Sequence, residues 1–394
     1  MKHLAVILFL IAGGASRGAF AQNEPPVTRE GRYWVRTING VFSVPPAAER
    51  FRLDTVGSVV LRGETGDNAV YTLKVRVQAH DAGEAEKLLR SLEWKSRSEG
   101  EWVYFALHAP GNLSEAPELS LSVPRRLLQV RIGTRGGSIQ AKDLDGELEA
   151  HSGGGGIDVD LIRGRAEART AGGNIKVGSV GGLLRCYSGG GAVTVRSVGG
   201  ECWLDTAGGE IQVREAKGPV HATTAGGNIR VDRAGGPVFA RTAAGLIQVQ
   251  QAAGEVNAES SGGAIRVDAA NGVRCDSAGG AIWLRNVAGA LRASTGAGSI
   301  LTELLSGNRI ENSTLSTNAG DITVFIASNL PLTVLARNET GGAGRIVSDF
   351  PEIRMRPIRQ PGASPAIAEG ALNGGGPVLR INVIGGTIYL RRQK

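Results

Sequence analysis

The sequence predicts an all-β chain: a single-stranded β-solenoid, or β-helix, of about eleven 18-residue coils, with a small α+β N-terminal cap and an irregular C-terminal cap. Three observations carry that expectation. An Ile or Val returns at near-constant spacing, and a Gly stands seven positions after each of the first ten. The composition, with 59 Gly, 15 Pro and 5% aromatic residues, suits a chain of turns whose apolar content lies in Val, Ile, Leu and Ala. A disordered chain would hold a lower apolar fraction and a higher net charge, so the Gly belongs to turns.

Residues 1–21 read as an export signal: Lys2 and His3 open it, an apolar run from Leu4 to Gly13 follows, and Ala19-Phe20-Ala21 fits a small-x-small cleavage site. The mature chain is expected to start at Gln22. The cut carries no Cys for a lipid anchor, and no later stretch reaches the roughly 18 apolar residues of a membrane span. An exported protein of the periplasm, cell envelope or extracellular space is implied.

Residues 22–125 read as a β-rich capping region. Alternating segments stand at Tyr33–Ile38, Arg50–Thr55, Ser58–Arg62 and Ala69–Gln78. One helix is expected over Ala82–Glu93, with Asp81 and Glu84 as a capping box and Ala85, Leu88, Leu89 and Leu92 on one face. A cap is needed because an open solenoid end exposes strand edges.

Residues 126–325 hold the repeats. Ile or Val recurs at 139, 157, 175, 193, 211, 229, 247, 265, 282, 300 and 322, so seven steps of 18 residues are followed by 17, 18 and 22. Two positions on stands Val, as in Val159, Val213 and Val249, and seven positions on stands Gly, from Gly146 to Gly307. Positions nine and eleven are apolar or Ala, and position thirteen is a hydroxyl residue such as Thr170, Ser188, Thr224 or Thr242. Alternation at 0 and 2, and again at 9, 11 and 13, marks two short strands with one buried face each, joined by Gly turns. One such unit cannot bury its own apolar face, so equivalent residues of successive coils must stack.

Residues 326–394 break the period. A Pro-, Gly- and Ala-rich loop is expected over 356–377, flanked by repeat-like segments at Gly344–Ser348 and Val378–Leu390, so the chain makes an excursion and returns as a final capping coil. Removing the two signal-peptide cations takes the formal charge from +7 to +5, a modest value, yet eight Lys and Arg face only Asp349, Glu352 and Glu369 in the last fifty positions. A basic end favours an acidic polymer or membrane surface, whereas nucleic acid is excluded as a partner of an exported chain.

The chain resembles the bacterial putative-adhesin domain family of unknown function, a group of exported or membrane-tethered β-solenoids. The resemblance rests on Ser122-Val123-Pro124 before Gly137-Ser138-Ile139, on the repeated Gly-x-Ile-x-Val coils, and on the endings Gly320-Asp321-Ile322-Thr323-Val324, Gly344-Arg345-Ile346-Val347-Ser348-Asp349-Phe350-Pro351 and Gly385-Gly386-Thr387-Ile388-Tyr389-Leu390. It spans about 115–394, and more weakly 45–115. It implies a β-solenoid and an adhesive label, and brings no catalytic residues.

Catalytic chemistry finds little support. Cys186, Cys202 and Cys275 fall on inward positions and read as buried thiols; stacking sets Cys186 and Cys202 about 8 Å apart, beyond the roughly 7 Å limit of a disulfide. His80, His108, His151 and His221 show no zinc spacing and read as single surface histidines. Asp158 and Asp160 are paired in sequence, but stacking would hold Asp160 about 19 Å from Asp232, with Asp268 farther along, against the roughly 5–10 Å of glycoside hydrolysis. No catalytic, metal or cofactor residues are expected. The candidate ligand-contact stripe is the outward ladder Arg185, Trp203, His221, Phe239, with Tyr187 and Arg241 on the neighbouring ladder, since rings beside Arg can stack on sugars or anchor a protein. Three functions follow: a binding module for a polysaccharide or cell-surface protein, the favoured one; a structural element acting through self-association; and a carbohydrate-active enzyme.

Overall fold

Strand accounts for 61% of the computed structural model and helix for 2%, an all-β solenoid. It describes residues 25–109, 113, 115–307, 309–340, 345–357 and 365–393; the expected export signal at 1–21, the start at Gln22, Gly344 and residues 358–364 lie outside them. The chain divides into two compact units, residues 1–191 and 192–394.

In the second unit each coil is two strands and two turns. Ile211–Ala216 pairs in parallel with Val193–Val198 and Ile229–Ala234, in the register Ile211↔Ile229 and Val213↔Val231. Val220–Thr224 lies in the same way between Cys202–Thr206 and Val238–Thr242. Ile211, Val213, Val220 and Ala222 are buried between these two sheets, which is where the core sits. A third inward position escapes the period-two reading: Ala216, five residues after Ile211, is also buried. The register passes over one residue after Val213, so the next inward side chain comes three residues on rather than two.

The inward hydroxyls close the turns. Thr224 donates its Oγ1 hydrogen to the Gly209 carbonyl at 2.9 Å and accepts from the Gly227 N–H at 3.2 Å. Thr242 does the same with Gly227 and Gly245, at 3.0 and 3.1 Å, so a buried hydroxyl is satisfied on both sides. Glycine is required beside it by close approach: a Cβ on Gly227 would stand 2.0 Å from the Gly209 carbonyl oxygen.

In the first unit the parallel ladders run on past Ile139 into residues far back in the chain. Ser58–Glu64 pairs with Ile139–Leu144, Val59 against Ile139, and Arg50–Thr55 pairs with Gln129–Thr134, Phe51 against Val130. Residues 50–64 therefore form a coil. Outside it lie Glu118–Pro124 and Trp102–His108, also parallel, and only then antiparallel strands: Asn68–Val77, Tyr33–Ser43 and Glu93–Glu99. The helix, Ala82–Leu89, stops four residues short of its expected end at Glu93, which is taken as the first residue of the strand Glu93–Glu99. Glu84 N–H donates to the Asp81 carboxylate at 2.8 Å, but the Glu84 carboxylate accepts from the N–H of His80 rather than of Asp81.

The end of the second unit corrects two expectations. The last coil in sequence is not outermost: Val378–Gly385 lies between Ser313–Ala319 and Leu332–Asn338, and Ile388–Arg392 between Ile322–Ile326 and Ile346–Ser348. Part of the expected loop over 356–377 is strand. Ala366–Leu372 runs antiparallel to Leu332–Asn338 and carries Arg354–Pro357 on its other edge. The backbone of Leu332–Asn338 would otherwise present an unpaired edge, which outweighs the local preference of a Gly- and Ala-rich segment for a loop.

Candidate functional site

Parallel register repeats any outward side chain at strand spacing, about 4.8 Å, and flat rings at that spacing meet face to face. In the second unit Trp203, His221 and Phe239 are register partners on the second sheet. Trp203 and His221 stack at 3.7 Å between centroids with planes 2° apart, and His221 and Phe239 at 4.7 Å and 9°. The outer two rings remain 39% and 43% exposed, so the stack presents ring edges to solvent while both faces of His221 are covered. His221 Nε2 lies 3.2 Å from the Glu201 carboxylate, which fixes the imidazole from its edge.

Arg241 stands on the adjoining outward ladder between Thr223 and Glu259, and its guanidinium meets the Glu259 carboxylate at 2.7 Å. Arg185 and Tyr187 belong to the first unit, on Leu184–Ser188, in register with Glu167 and Arg169; Tyr187 is exposed. The structure thus brings three of the six expected contact residues into one stack and sets a fourth beside it.

The three cysteines, Asp232, Asp268, His108 and His151 also find their places. Cys186, Cys202 and Cys275 are buried thiols, and burial pushes the Cys202 thiol up to about 12 and raises that of Cys275, which keeps both protonated at neutral pH. Asp232 and Asp268 are each bound by the arginine two residues earlier, at 2.8 and 3.0 Å. His108 and His151, expected as isolated, line one cavity of about 410 Å³ with Asp54, where Gly133 leaves a gap in the ladder between Asp54 and His151. Among the described residues no three His, Cys, Asp or Glu side chains group so as to hold a metal ion, and no helix is long and apolar enough to cross a membrane.

One further pair of rings was missed by the sequence reading. Phe325 and Tyr389 lie on the first sheet of the second unit and line an open groove of about 660 Å³. The signal was present: aligning Ile388 with Ile322 as the start of a coil puts Tyr389 on the outward ladder of Thr323.

The chain matches no protein-family model, and no curated protein is significantly similar to it. Among solved structures it is similar to a putative adhesin from Bacteroides fragilis, at 13% identity over 74% of this chain and 97% of that one, with a TM-score of 0.24. A putative adhesin from Parabacteroides distasonis gives 14%, the same coverages and 0.30, and a putative cell adhesion protein from Clostridium sporogenes gives 9%, 91% and 100%, and 0.17. The fold therefore rests on this chain's own parallel ladders, and the solved structures bear the same adhesin name as the bacterial family of unknown function that its motifs resemble.

Proposed function

We propose that this protein is an exported, non-enzymatic, adhesin-like binding module that presents a flat sheet face to a polysaccharide or a cell-surface protein. The observation that carries the reading is the Trp203–His221–Phe239 stack. Its rings are fixed by register before any partner arrives, so little side-chain freedom is lost on binding. Their edges carry the positive side of the ring quadrupole and suit acceptor oxygens, and Arg241 adds donors alongside. Export is supported by the leader-like residues 1–21. The absence of turnover is supported by the pairing of Asp232 and Asp268 with arginines.

The test is an array of glycans and envelope polymers probed with residues 22–394 and with the Trp203→Ala, Phe239→Ala double variant. Binding by the parent that the variant loses supports the reading. Binding that the variant keeps removes the stack from it, and turnover of any bound polymer overturns it. A second reading has its own observation: the covered faces of His221 suit a ladder that only stiffens the sheet. Concentration-dependent self-association in sedimentation, without any ligand, would favour that structural role.

A further inference from the structure

Beyond the aromatic stack, the outward face of the second sheet in the second unit becomes basic. Register sets Arg274, Arg292, Thr314 and Arg380 side by side on one ladder, with Leu335 after them. Asp276, Ser294, Ser316, Asn382 and Arg337 form the ladder beside it. Arg274 is held by Asp276 at 3.4 Å and Arg337 by Glu339 at 2.7 Å. Arg292 and Arg380 are exposed, and neither guanidinium has an ion-pair partner among the described residues.

Their surroundings explain why. The register neighbours of Arg380 are Thr314, Leu335, Ser316, Asn382 and Arg337, none of them acidic. Those of Arg292 are Arg274, Thr314, Ser294, Ser316 and Asp276, and the one acid among them is the partner of Arg274. The sheet therefore leaves two guanidinium forks free, each shaped to take a carboxylate through paired N–H groups. They stand two strand spacings apart, about 9.6 Å. Thr314 lies between them, and Ser294, Ser316 and Asn382 flank them with groups that both donate and accept, which suits sugar hydroxyls.

An extended pyranose advances a chain by close to one strand spacing. A polysaccharide with an acid on every second sugar thus offers its carboxylates at the separation of the two forks, with hydroxyls between. Duplex DNA, with one charge per about 1.7 Å of its axis, is far denser in charge than two such cations can match. We propose that Arg292 and Arg380, with Thr314 between them, bind a linear acidic polysaccharide whose carboxylates fall on alternate sugars. The site begins three strands beyond Phe239 and does not depend on the Trp203 stack binding anything.

Isothermal titration of the full chain tests it with a tetrasaccharide of alternating glucuronic acid and N-acetylglucosamine, which carries two acids and is too short to reach from Arg380 to the stack. The neutral N-acetylglucosamine tetramer and vesicles of phosphatidylserine are the comparisons. The acidic tetrasaccharide is expected to bind at about millimolar concentration or tighter, more weakly as salt rises, and the neutral one at least about tenfold less well. Arg292→Gln with Arg380→Gln is expected to weaken binding at least about tenfold. Arg214→Gln with Arg345→Gln removes the same charge from exposed positions along the first sheet and should leave the affinity within about twofold, as should Trp203→Ala with Phe239→Ala. The proposal is overturned if the acidic tetrasaccharide does not bind, or if the neutral one binds as tightly. It is equally overturned if either control pair loses as much affinity as the Arg292 and Arg380 pair, or if that pair is needed only for the vesicles.

Discussion

The regular coils over residues 211–260 and the closing segment over 313–392 are made of the same parts in different order. In the regular coils each strand pairs with the strand one repeat away, so sequence neighbours are space neighbours. In the closing segment Val378–Gly385 and Ile388–Arg392 are laced between strands that precede them by some forty to sixty-five residues. Yet the inner hardware runs on unbroken. The glycine column continues through Gly298, Gly320 and Gly386, where a Cβ would stand only 2.1–2.4 Å from the preceding glycine's carbonyl oxygen. The hydroxyl role continues through Thr317, which donates to Gly298, and is then taken over by the buried amide of Asn338, which donates to Gly386 at 2.8 Å. The difference teaches that a period encodes which residues turn inward, whereas the order of stacking is set by which edges must be closed.

The largest effect that would sharpen this comparison comes from removing the closing segment. Ending the chain at Ile326 strips Ser313–Ala319 and Ile322–Ile326 of their outer partners and exposes two apolar-cored edges. Soluble monomer is expected to fall by roughly an order of magnitude, with the remainder aggregated; light scattering and sedimentation of the truncated chain check it. A well-behaved monomer would show that the lacing does not protect the edge.

The next effect lies in the turns, where two adjacent glycines separate the two ways a glycine can matter. Gly227→Ala puts a methyl 2.0 Å from the Gly209 carbonyl oxygen, so stacked backbone has to move, and a loss of about 3 kcal/mol is expected. Gly226→Ala, whose nearest neighbour would be 3.9 Å away, is expected within about 0.5 kcal/mol of the parent. Urea unfolding of both variants decides it; equal losses would mean that backbone conformation, not stacking distance, selects Gly here.

These two glycines also show how far the sequence could be read. The Gly-Gly pairs, the Val ladder and the position-thirteen hydroxyls were all visible as period, because each coil repeats the same physical problem. The third inward residue, Ala216, was not, since an extra residue in the strand breaks the alternation on which the reading depended. The helix end at Leu89 and the strand Ala366–Leu372 were hidden for a common reason: local propensity was outvoted by pairing with distant strands. Of the candidate stripe, register made Trp203, His221 and Phe239 legible as a ladder; that stacked rings would cover one another's faces needs the 3.7 and 4.7 Å spacings. Tyr389 stayed unread because its coil lies out of chain order, and Phe325, on an in-order strand, because only that lacing brings Arg391 beside it and Tyr389 beside Thr323.

A smaller effect tests the hydroxyl column within a regular coil. Thr224→Val keeps shape and burial but removes the donor to Gly209 and the acceptor for Gly227. Two half-buried backbone groups then lose their partner, and a destabilisation of about 1 kcal/mol is expected by urea unfolding. Asn338→Leu should cost a similar amount at the closing segment if the amide truly stands in for the hydroxyl, and a null result there would confine the hydroxyl mechanism to the regular coils.

The smallest effect concerns charge, which ties down the closing segment where side-chain ladders end. The Arg392 N–H, and next the Arg391 guanidinium, hold the Asp349 carboxyl below the ordinary carboxylate range. A carboxyl whose folded pKa is depressed adds stability above its unfolded pKa, about 3.9, and that contribution fades as pH falls through the folded value. Asp349 is exposed and salt screens it, so the shift in Tm should be slight and larger at low ionic strength. Melting curves of the parent and Asp349→Asn should therefore differ most near neutral pH and converge below about pH 3.9. Curves that stay parallel through that range would mean that the Asp349 contacts form without favouring the folded state, and that the closing segment is held by strand pairing alone.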